Sequence, residues 1–233
     1  MELHKFYSEL FSKSVHKSEQ ECLSFLSISE EHRVFCDKVL TLDDLSASLA
    51  KMNSGKSPGN DGLTVCFYKF FWLQIKDALF ESYTYSKTVR FLSSSQRQAI
   101  IKLIEKRDKD KRYIQNWSPI SLLNVDTKLI SKCIASRFIP VLPTIISPGQ
   151  TAYVKGRFIG ESIRLISDVL DTTYMYNIPG YILTADLQKA FDSIDHTFLL
   201  SCLKKFGFGD DFILWSSILV NDQMEDKRHD ISN

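Results

Sequence analysis

The sequence lacks the features that define several large classes of protein. It has no Cys-x-x-Cys pair, and its five cysteines are scattered, so neither a zinc ribbon nor a disulfide framework is predicted. No run approaches the ~18 to 20 consecutive apolar residues of a membrane helix. No apolar stretch follows the charged first residues, which excludes a secretory signal peptide. We therefore expect an intracellular protein of a reducing compartment, nuclear or cytoplasmic, without a membrane partner.

The composition of the sequence is typical of a globular protein, and its charged residues are unevenly distributed along the chain. Its 233 residues are 44% hydrophobic and 24% charged, enough for one large or two small domains. The net charge of +1 hides a basic centre, because residues 51–205 carry 22 Lys and Arg against 13 Asp and Glu. Such a centre suits a polyanion partner, although chance clustering on a solvated surface would look the same.

Residues 41–138 predict helices around a hairpin. Thr41 and Asp44 form a capping box before an apolar helical face, and Thr64 can cap a second, aromatic-rich helix after a loop at 53–62. Residues 98–104 and 113–123 predict extended segments on either side of the polar run 105–112, which suits a hairpin tip. A helix is then expected from Asn124 or Asp126 to Phe138, ended by prolines.

The remainder of the chain alternates helical and extended patterns. Residues 159–176 predict an amphipathic helix, and residues 180–187 predict a buried strand that ends in an acid. Residues 196–206 predict a short helix stopped by Gly207, and another helix is expected from Asp210. From residue 221 the chain becomes polar, which predicts a ragged tail. The order of elements indicates an α+β or α/β protein.

Asp186 is the residue in this pattern that suggests chemistry. A carboxylate at the end of a buried strand is costly unless something pairs with it or uses it. Such a carboxylate is well placed to hold Mg²⁺, which binds one or two carboxylates together with substrate phosphates. Alternatively, Asp186 caps the next turn, and Asp192 and Asp195 cap the helix that follows.

Residues 184–196 resemble the first catalytic motif of reverse transcriptases, more closely that of non-LTR (LINE-type) retrotransposons. In that motif an Asp, here Asp186, is followed five residues later by an aromatic residue and then an Asp, here Phe191 and Asp192. Further blocks resemble the same family in the same order, over about residues 40–220: K-S-P-G-N-D-G with F-Y-K (56–62, 67–69), I-K-L-I-E-K and N-W-S-P-I-S-L-L-N (101–106, 116–124), K-L-I-S-K with A-S-R (128–132, 135–137), and S-P-G-Q-T-A-Y-V-K-G-R (147–157).

The resemblance implies an α+β right-hand polymerase, with helices packed on short antiparallel strands. It implies a leader at 1–40, fingers with the entry to the palm at 41–180, a partial palm at 181–220 and a polar tail at 221–233. The activity implied is RNA-directed DNA synthesis on an RNA template and a DNA primer from dNTPs. Two Mg²⁺ ions would stabilise the attacking and leaving oxygens.

The resemblance also implies roles for individual residues. Asp186 would bind both metals with help from the Leu187 carbonyl, and Phe191 would pack under the incoming sugar. Lys106 would meet the triphosphate, and Lys155 and Arg157 would lie where the family holds the template. Each has an ordinary alternative: a core aromatic for Phe191, a solvated hairpin charge for Lys106, and surface charge for the other two.

The sequence departs from the family pattern in ways that affect function. Ser118 stands where the family has an Arg that donates to the triphosphate, and a hydroxyl cannot replace a bidentate guanidinium. Glu105 stands where a Pro usually precedes the fingers Lys. No downstream aromatic-x-Asp-Asp motif follows Asp186 at the required distance.

The letters F-G-D-D at 208–211 are a decoy for that motif. They lie only 24 residues after Asp186, which leaves no room for the intervening helix and strand. The preceding residues resemble the ordinary L-K-K-F-G-F-G linker of the family, so we expect Asp210 and Asp211 to begin a helix.

We therefore expect a fragment of a LINE-type reverse transcriptase that does not polymerise alone and whose Mg²⁺ binding is in doubt. The alternatives are a non-catalytic RNA- or DNA-binding remnant and a translated fragment without function. The sequence does not indicate the oligomeric state.

Overall fold

The computed structural model describes residues 27–113, 116–187, 190 and 194–229. Within these residues, helices surround a single antiparallel sheet of two strands. In chain order the elements are α1 (Glu30–Cys36), α2 (Leu42–Ala50), α3 (Val65–Phe70), α4 (Trp72–Val89), α5 (Ser94–Arg97), β1 (Ala99–Glu105), β2 (Trp117–Leu123), α6 (Val125–Phe138), α7 (Leu142–Ile145), α8 (Gly160–Met175), α9 (His196–Lys205) and α10 (Asp210–His229). The mixed class predicted from the sequence is confirmed.

Local capping sets where several helices begin. Thr41 and Asp44 form the predicted capping box at α2, with Asp44 N donating to Thr41 Oγ1 over 3.2 Å. Thr64 caps α3, and Asp195 caps α9 by accepting from the backbone of Phe198. Each cap satisfies a backbone N–H that has no partner inside its own helix. These predicted starts are therefore confirmed.

The strands β1 and β2 form the predicted hairpin. They pair antiparallel from Ala99 opposite Leu123 to Glu105 opposite Trp117. The polar residues that follow β1 lie in the hairpin tip, as predicted from the run 105–112. The hairpin carries branched apolar residues on both strands, which suits a pleated, half-buried surface.

The hydrophobic core lies between α2, α4, α6 and α10. It buries apolar side chains from all of these helices: Leu45, Leu49, Tyr83, Val125, Leu129, Ile130, Cys133, Phe212, Trp215 and Ile218. Tyr83 is completely buried, and its hydroxyl donates to the Asp126 carbonyl over 2.8 Å. A buried phenol needs such a partner, so this contact fixes α4 against the start of α6.

Arg137 joins α6 to the first part of the chain. Its buried guanidinium donates to the backbone carbonyls of Cys36, Lys38 and Val39. It also forms an ion pair with Asp44, with 2.8 Å between Nη2 and Oδ2. A buried charge is tolerated only when it is paired and hydrogen-bonded in this way.

The start of α10 is held by a residue far away in the chain. Asp37 Oδ1 accepts from the backbone N–H of Phe212 over 2.8 Å. A Cβ at Gly209 would lie 2.2 Å from the Asp37 carboxyl carbon, so the approach requires glycine there. Asp37 thus caps a helix that begins more than 170 residues later.

Helix α8 differs from the helices of the core. The predicted helix is present, but none of its residues is buried. Its apolar stripe is exposed along its length, with Ile163 62%, Ile166 50%, Val169 49% and Leu170 48% exposed. The periodicity predicted the helix correctly without identifying what covers it.

The predicted buried strand at 180–187 is wrong in the described structure. Residues 181–187 are irregular and exposed, with Tyr181 and Leu183 showing almost their whole side-chain surface. A strand forms only when its backbone N–H and C=O groups pair with a neighbouring strand. Among the described residues, β1 and β2 pair with each other and leave this segment without a partner.

The ragged tail predicted from residue 221 is wrong for 221–229. The backbone of α10 continues as a helix to His229. These nine residues include no Gly or Pro, and five of them are the good helix formers Gln, Met, Glu, Lys and Arg, so extending the existing helix is favourable. Within the described residues, no helix is long and apolar enough to cross a bilayer.

Candidate nucleotide and nucleic-acid site

The outer end of the hairpin presents Lys106. The backbone N–H of Lys106 donates to the Asn116 carbonyl over 2.9 Å, which continues the strand pairing one residue beyond β1. The Lys106 side chain is exposed. Alternation along the strand puts it on the face shared by Ile104 and Ser118, which lie opposite each other. The predicted triphosphate contact therefore lies on an exposed hairpin end.

Part of the charge at the hairpin tip is compensated within the tip. Lys111 pairs with Glu105 over 2.6 Å, and Arg112 pairs with Asp110 over 2.7 Å. Glu105, the residue that stands in place of the usual Pro, is therefore engaged by a lysine of the same hairpin. Exposed pairs of this kind contribute little to stability, but they fix where the tip charges lie.

The base of the hairpin is anchored by Asn124. Its side chain donates to the Ser95 carbonyl over 2.8 Å and accepts from the backbone N–H of Asp61 over 3.3 Å. Gly59 packs so closely that a Cβ there would lie 2.4 Å from the Asn124 backbone nitrogen. Lys128 Nζ donates to the Ser57 carbonyl over 3.0 Å. The K-S-P-G-N-D-G loop is thereby attached where β2 becomes α6.

Arg157 lies in a loop before α8 and is already occupied by backbone acceptors. Its guanidinium donates to the carbonyls of Pro143, Ile146, Ser147 and Gln150 over 2.5 to 3.2 Å. Lys155, two residues earlier, is exposed. Of the two residues predicted to meet the template, the structure thus gives one an intramolecular role.

Asp186 and Leu187 lie in the irregular segment that follows α8. Both are exposed, Leu187 by 78%. Phe191, predicted to pack under the incoming sugar, lies outside the described residues. No group of three or more His, Cys, Asp or Glu that could hold a metal ion occurs in the described part of the chain. Among the described residues, Asp186 therefore belongs to no metal-binding group of carboxylates.

The F-G-D-D segment serves the packing of α10. Asp210 and Asp211 lie in the first turn of that helix, where acidic side chains are favoured. Asp211 pairs with Lys87 of α4 over 2.6 Å. The predicted position of these acids at a helix start is confirmed, and Asp211 links two core helices.

The titratable groups with clear shifts include buried residues of the core. Burial raises the pKa of the Cys36 thiol to about 11, which keeps it protonated and unreactive at neutral pH. Burial also raises the pKa of Asp126, although hydrogen bonds from Thr127 and Gln96 oppose the shift. These shifts reflect packing around α6 and do not mark a catalytic pair.

Sequence reasoning predicted Asn124 as a helix start and Arg157 as a template contact, but it did not predict their hydrogen-bond partners, and it assigned no role to Tyr153. Tyr153 is 92% exposed and adopts a left-handed backbone with φ of 60°. An Asn directly before a helix suggests a cap, but the Asn124 side chain makes no cap hydrogen bond and binds Ser95 and Asp61 instead. The acceptors of Arg157 left no signal because they are backbone carbonyls.

The order of the motifs along the chain indicates a reverse transcriptase. Comparison with known families gives the same class. Residues 104–232 match the family described as reverse transcriptase (RNA-dependent DNA polymerase). This match covers more than half of the chain, and the chain belongs to that family. The resemblance noted from the sequence motifs is therefore confirmed.

The relatives come from mobile elements. An uncharacterized 149 kDa protein of transposon TX1 from Xenopus laevis is 36% identical over 89% of this chain. A Drosophila melanogaster protein named "Probable RNA-directed DNA polymerase from transposon BS" is 27% identical over 72% of it. A retrovirus-related Pol polyprotein from type-1 retrotransposable element R1 of Bradysia coprophila is 24% identical over 76%. The chain spans only 16%, 19% and 18% of these three proteins.

Proposed function

We propose that this chain forms the fingers and the first part of the palm of a LINE-type reverse transcriptase. In this proposal residues 41–180 are the fingers with the entry to the palm, residues 181–220 begin the palm, residues 1–40 precede the polymerase, and residues 221–233 are a polar extension. The observation that carries the proposal is the β1–β2 hairpin, which is anchored at its base by Asn124 and exposes Lys106 at its end. The end of β1, the hairpin tip and all of β2 fall within the family match.

The substrates proposed are an RNA template, a DNA primer and dNTPs. Lys106 would contact the triphosphate, with Leu187 and Phe191 beside the nucleotide and Lys155 beside the template. The exposed hairpin end and the excess of nine positive charges over residues 51–205 support a polyanionic partner. Arg157 would act on the template indirectly, because its donors already bind backbone carbonyls.

The described residues do not fit a pair of Mg²⁺ ions by themselves. A two-metal site needs several carboxylates that bridge ions about 4 Å apart. Asp186 is an exposed carboxylate in an irregular segment, and it belongs to no cluster of metal-ligating side chains among the residues described. We therefore propose that Asp186 binds metal only together with carboxylates that these residues do not supply, and that the 233-residue chain alone does not polymerise.

A primer-extension assay tests this proposal directly. The purified chain is incubated with an RNA template annealed to a labelled DNA primer, dNTPs and Mg²⁺, and no extension is expected. Asp168→Ala, which removes an exposed carboxylate of α8, is the matched control for Asp186→Ala. Template-dependent extension that is abolished by Asp186→Ala and retained by Asp168→Ala would contradict the proposed inactivity.

A second candidate function is nucleic-acid binding without catalysis. The exposed, basic hairpin tip favours it, since phosphate contacts require only accessible cations. Binding to a primer–template duplex should weaken steeply as salt rises, because each neutralised phosphate releases counterions. Fluorescence anisotropy across a salt series measures this, and binding that is absent or independent of salt would exclude it.

A further inference from the structure

Tyr153 stands out among the residues with a left-handed backbone. The other non-glycine examples among the described residues have local reasons: Arg90 follows the end of α4, Asp108 lies in the hairpin tip, and Asn177 follows α8. Asp and Asn tolerate this conformation, and a helix end often requires it. Tyr153 is a bulky aromatic residue in a loop, where such a backbone is disfavoured and often marks a functional site.

The loop that carries Tyr153 is held in place by buried side chains and by hydrogen bonds. Val154 and Thr151 are buried, and Thr151 Oγ1 lies 2.7 Å from Ser162 Oγ on α8. Arg157 binds four carbonyls of the preceding turn, which ties the end of the loop to its beginning. Because these contacts hold the backbone, they also set the direction in which the Cα–Cβ bonds of the exposed residues leave the loop.

The side chains that point outward are an aromatic ring and a cation. Tyr153 is 92% exposed, Lys155 is exposed, and Phe158 adds a second ring that is 69% exposed. The Phe158 ring lies against Gly160, where a Cβ would come within 2.2 Å of it. Exposed aromatic rings and a cation within a few residues of one another, on a backbone held by its contacts, suit the binding of single-stranded nucleic acid by base stacking and phosphate contact.

We infer that Tyr153 is a stacking platform for an unpaired base of a single-stranded nucleic acid. Lys155 contacts the adjacent phosphate. Arg157 positions the loop and does not touch the strand. The inference rests on the proposed nucleic-acid partner and assigns a role to a residue that the motif comparison left without one. Stacking is tolerant of base identity, since every base has a flat face.

The experiment measures anisotropy of labelled single-stranded RNA and DNA of about 12 nucleotides, together with a blunt duplex of the same sequence. Tyr153→Asn is the main variant, because Asn accepts the left-handed backbone while removing the ring. Tyr174→Ala is the matched control: Tyr174 is 91% exposed but lies in regular helix near the far end of α8. Thermal melts establish that each variant is folded.

For the single strand, Tyr153→Asn should weaken binding on the order of 5- to 150-fold with an unchanged salt slope, because stacking releases no counterions. Tyr153→Phe should restore most of the affinity, and Tyr174→Ala should bind as the unmodified chain does. Lys155→Ala should lower the salt slope by about 0.7, the contribution of one single-strand phosphate. Arg157→Lys and Arg157→Ala should both weaken binding without changing the slope.

The outcomes separate this inference from the proposed function. If the unmodified chain binds and Tyr153→Asn binds equally well, or loses duplex binding to the same extent, the stacking role is overturned and the proposed function stands. If Arg157→Ala lowers the salt slope while Arg157→Lys does not, Arg157 contacts phosphate and its positioning role is overturned. If the unmodified chain binds neither strand nor duplex, the nucleic-acid partner itself is wrong and both fall.

Discussion

The chain contains two regions that both carry many apolar side chains but differ in how far those side chains are buried. We call residues 27–150 with 194–220 the packed body and residues 158–187 the exposed arm. In the body, side chains such as Leu129 and Tyr83 are completely buried. In the arm, Ile163 and Leu183 remain 62% and 92% exposed. The hairpin belongs to the body, whereas Asp186 belongs to the arm.

The difference shows that an apolar pattern in the sequence predicts a helix but does not predict whether that helix is buried. Helix α8 has a clear apolar stripe, yet none of its residues is buried among those described. Helix α6 is covered on its apolar side by α2 and α10. Asp186, the residue expected to bind metal, therefore lies in the region that the described residues leave exposed. Lys106, the expected triphosphate contact, lies on the packed region.

The largest expected effect on stability comes from creating a cavity in the core of the body. Leu129→Ala removes a completely buried side chain of α6 and should lower the free energy of unfolding by about 2–5 kcal/mol. Chemical denaturation followed by circular dichroism measures this. Leu165→Ala in the arm, where the side chain is 62% exposed, is the matched control. Equal losses for the two variants would erase the distinction between body and arm.

The next effect concerns the loop that anchors the hairpin. Gly59→Ala should destabilise the body by about 1–3 kcal/mol, because its Cβ would meet the backbone of Leu123 and Asn124, which cannot move aside. Gly55→Ala is the control in the same loop, since a Cβ there meets nothing within 4 Å. If Gly59→Ala unfolds at the same denaturant concentration as Gly55→Ala, the loop is not anchored as described.

A smaller, pH-dependent effect comes from Asp44. Burial raises its pKa, but hydrogen bonds from Thr41 and Arg137 outweigh burial and lower the pKa below the usual range. Its stabilising contribution is therefore present above about pH 4 and is lost as the pH falls through the folded-state pKa. Asp44→Asn should cost about 1 kcal/mol at pH 7, since the carboxylate is partly exposed, and the cost should fall as the pH drops below about 4.

Urea denaturation of both proteins at several pH values checks this dependence. Asp43→Asn, in the same helical turn and outside the Arg137 ion pair, serves as the control. A stability difference that stays constant from pH 7 down to pH 3 would show that the Asp44 carboxylate is not stabilised by Arg137.

The smallest effect is expected on the exposed stripe of the arm. Ile166→Ser on α8 should change the free energy of unfolding by less than about 0.5 kcal/mol, because the side chain is half-exposed and no buried residue of α8 packs around it. The measurement is the same denaturation series. A loss of about 2 kcal/mol or more would mean that the stripe is covered in this chain.

The features that sequence reasoning predicted are those set by neighbouring residues. The capping box at Thr41, the hairpin strands around a polar tip and the stop at Gly207 depend on contacts a few residues apart. The strand expected at 180–187 depended on a partner strand, which the local pattern cannot supply. The contacts of Asp37 with the Phe212 N–H and of Arg157 with backbone carbonyls left no sequence signal, because backbone N–H and C=O groups are the same for nearly every residue type.

The candidate site was predictable only in part for the same reason. Motif order identified the family and placed Lys106 at a hairpin end, which the structure contains. The geometry around Asp186 could not be derived, since it depends on which segments pack against the arm. The strained backbone of Tyr153 is visible only in three dimensions, because nothing in T-A-Y-V-K-G-R marks a left-handed tyrosine.

Hydrogen exchange of the full chain, resolved by residue, tests the contrast between body and arm most directly. Backbone amides of α6 should exchange only through global unfolding, because they are hydrogen-bonded within a buried helix. Amides of 181–187 should exchange at nearly the rate of an unstructured peptide, since this segment is exposed and forms no strand. Protection of 181–187 equal to that of α6 would show that the segment around Asp186 is already packed, and would contradict the account.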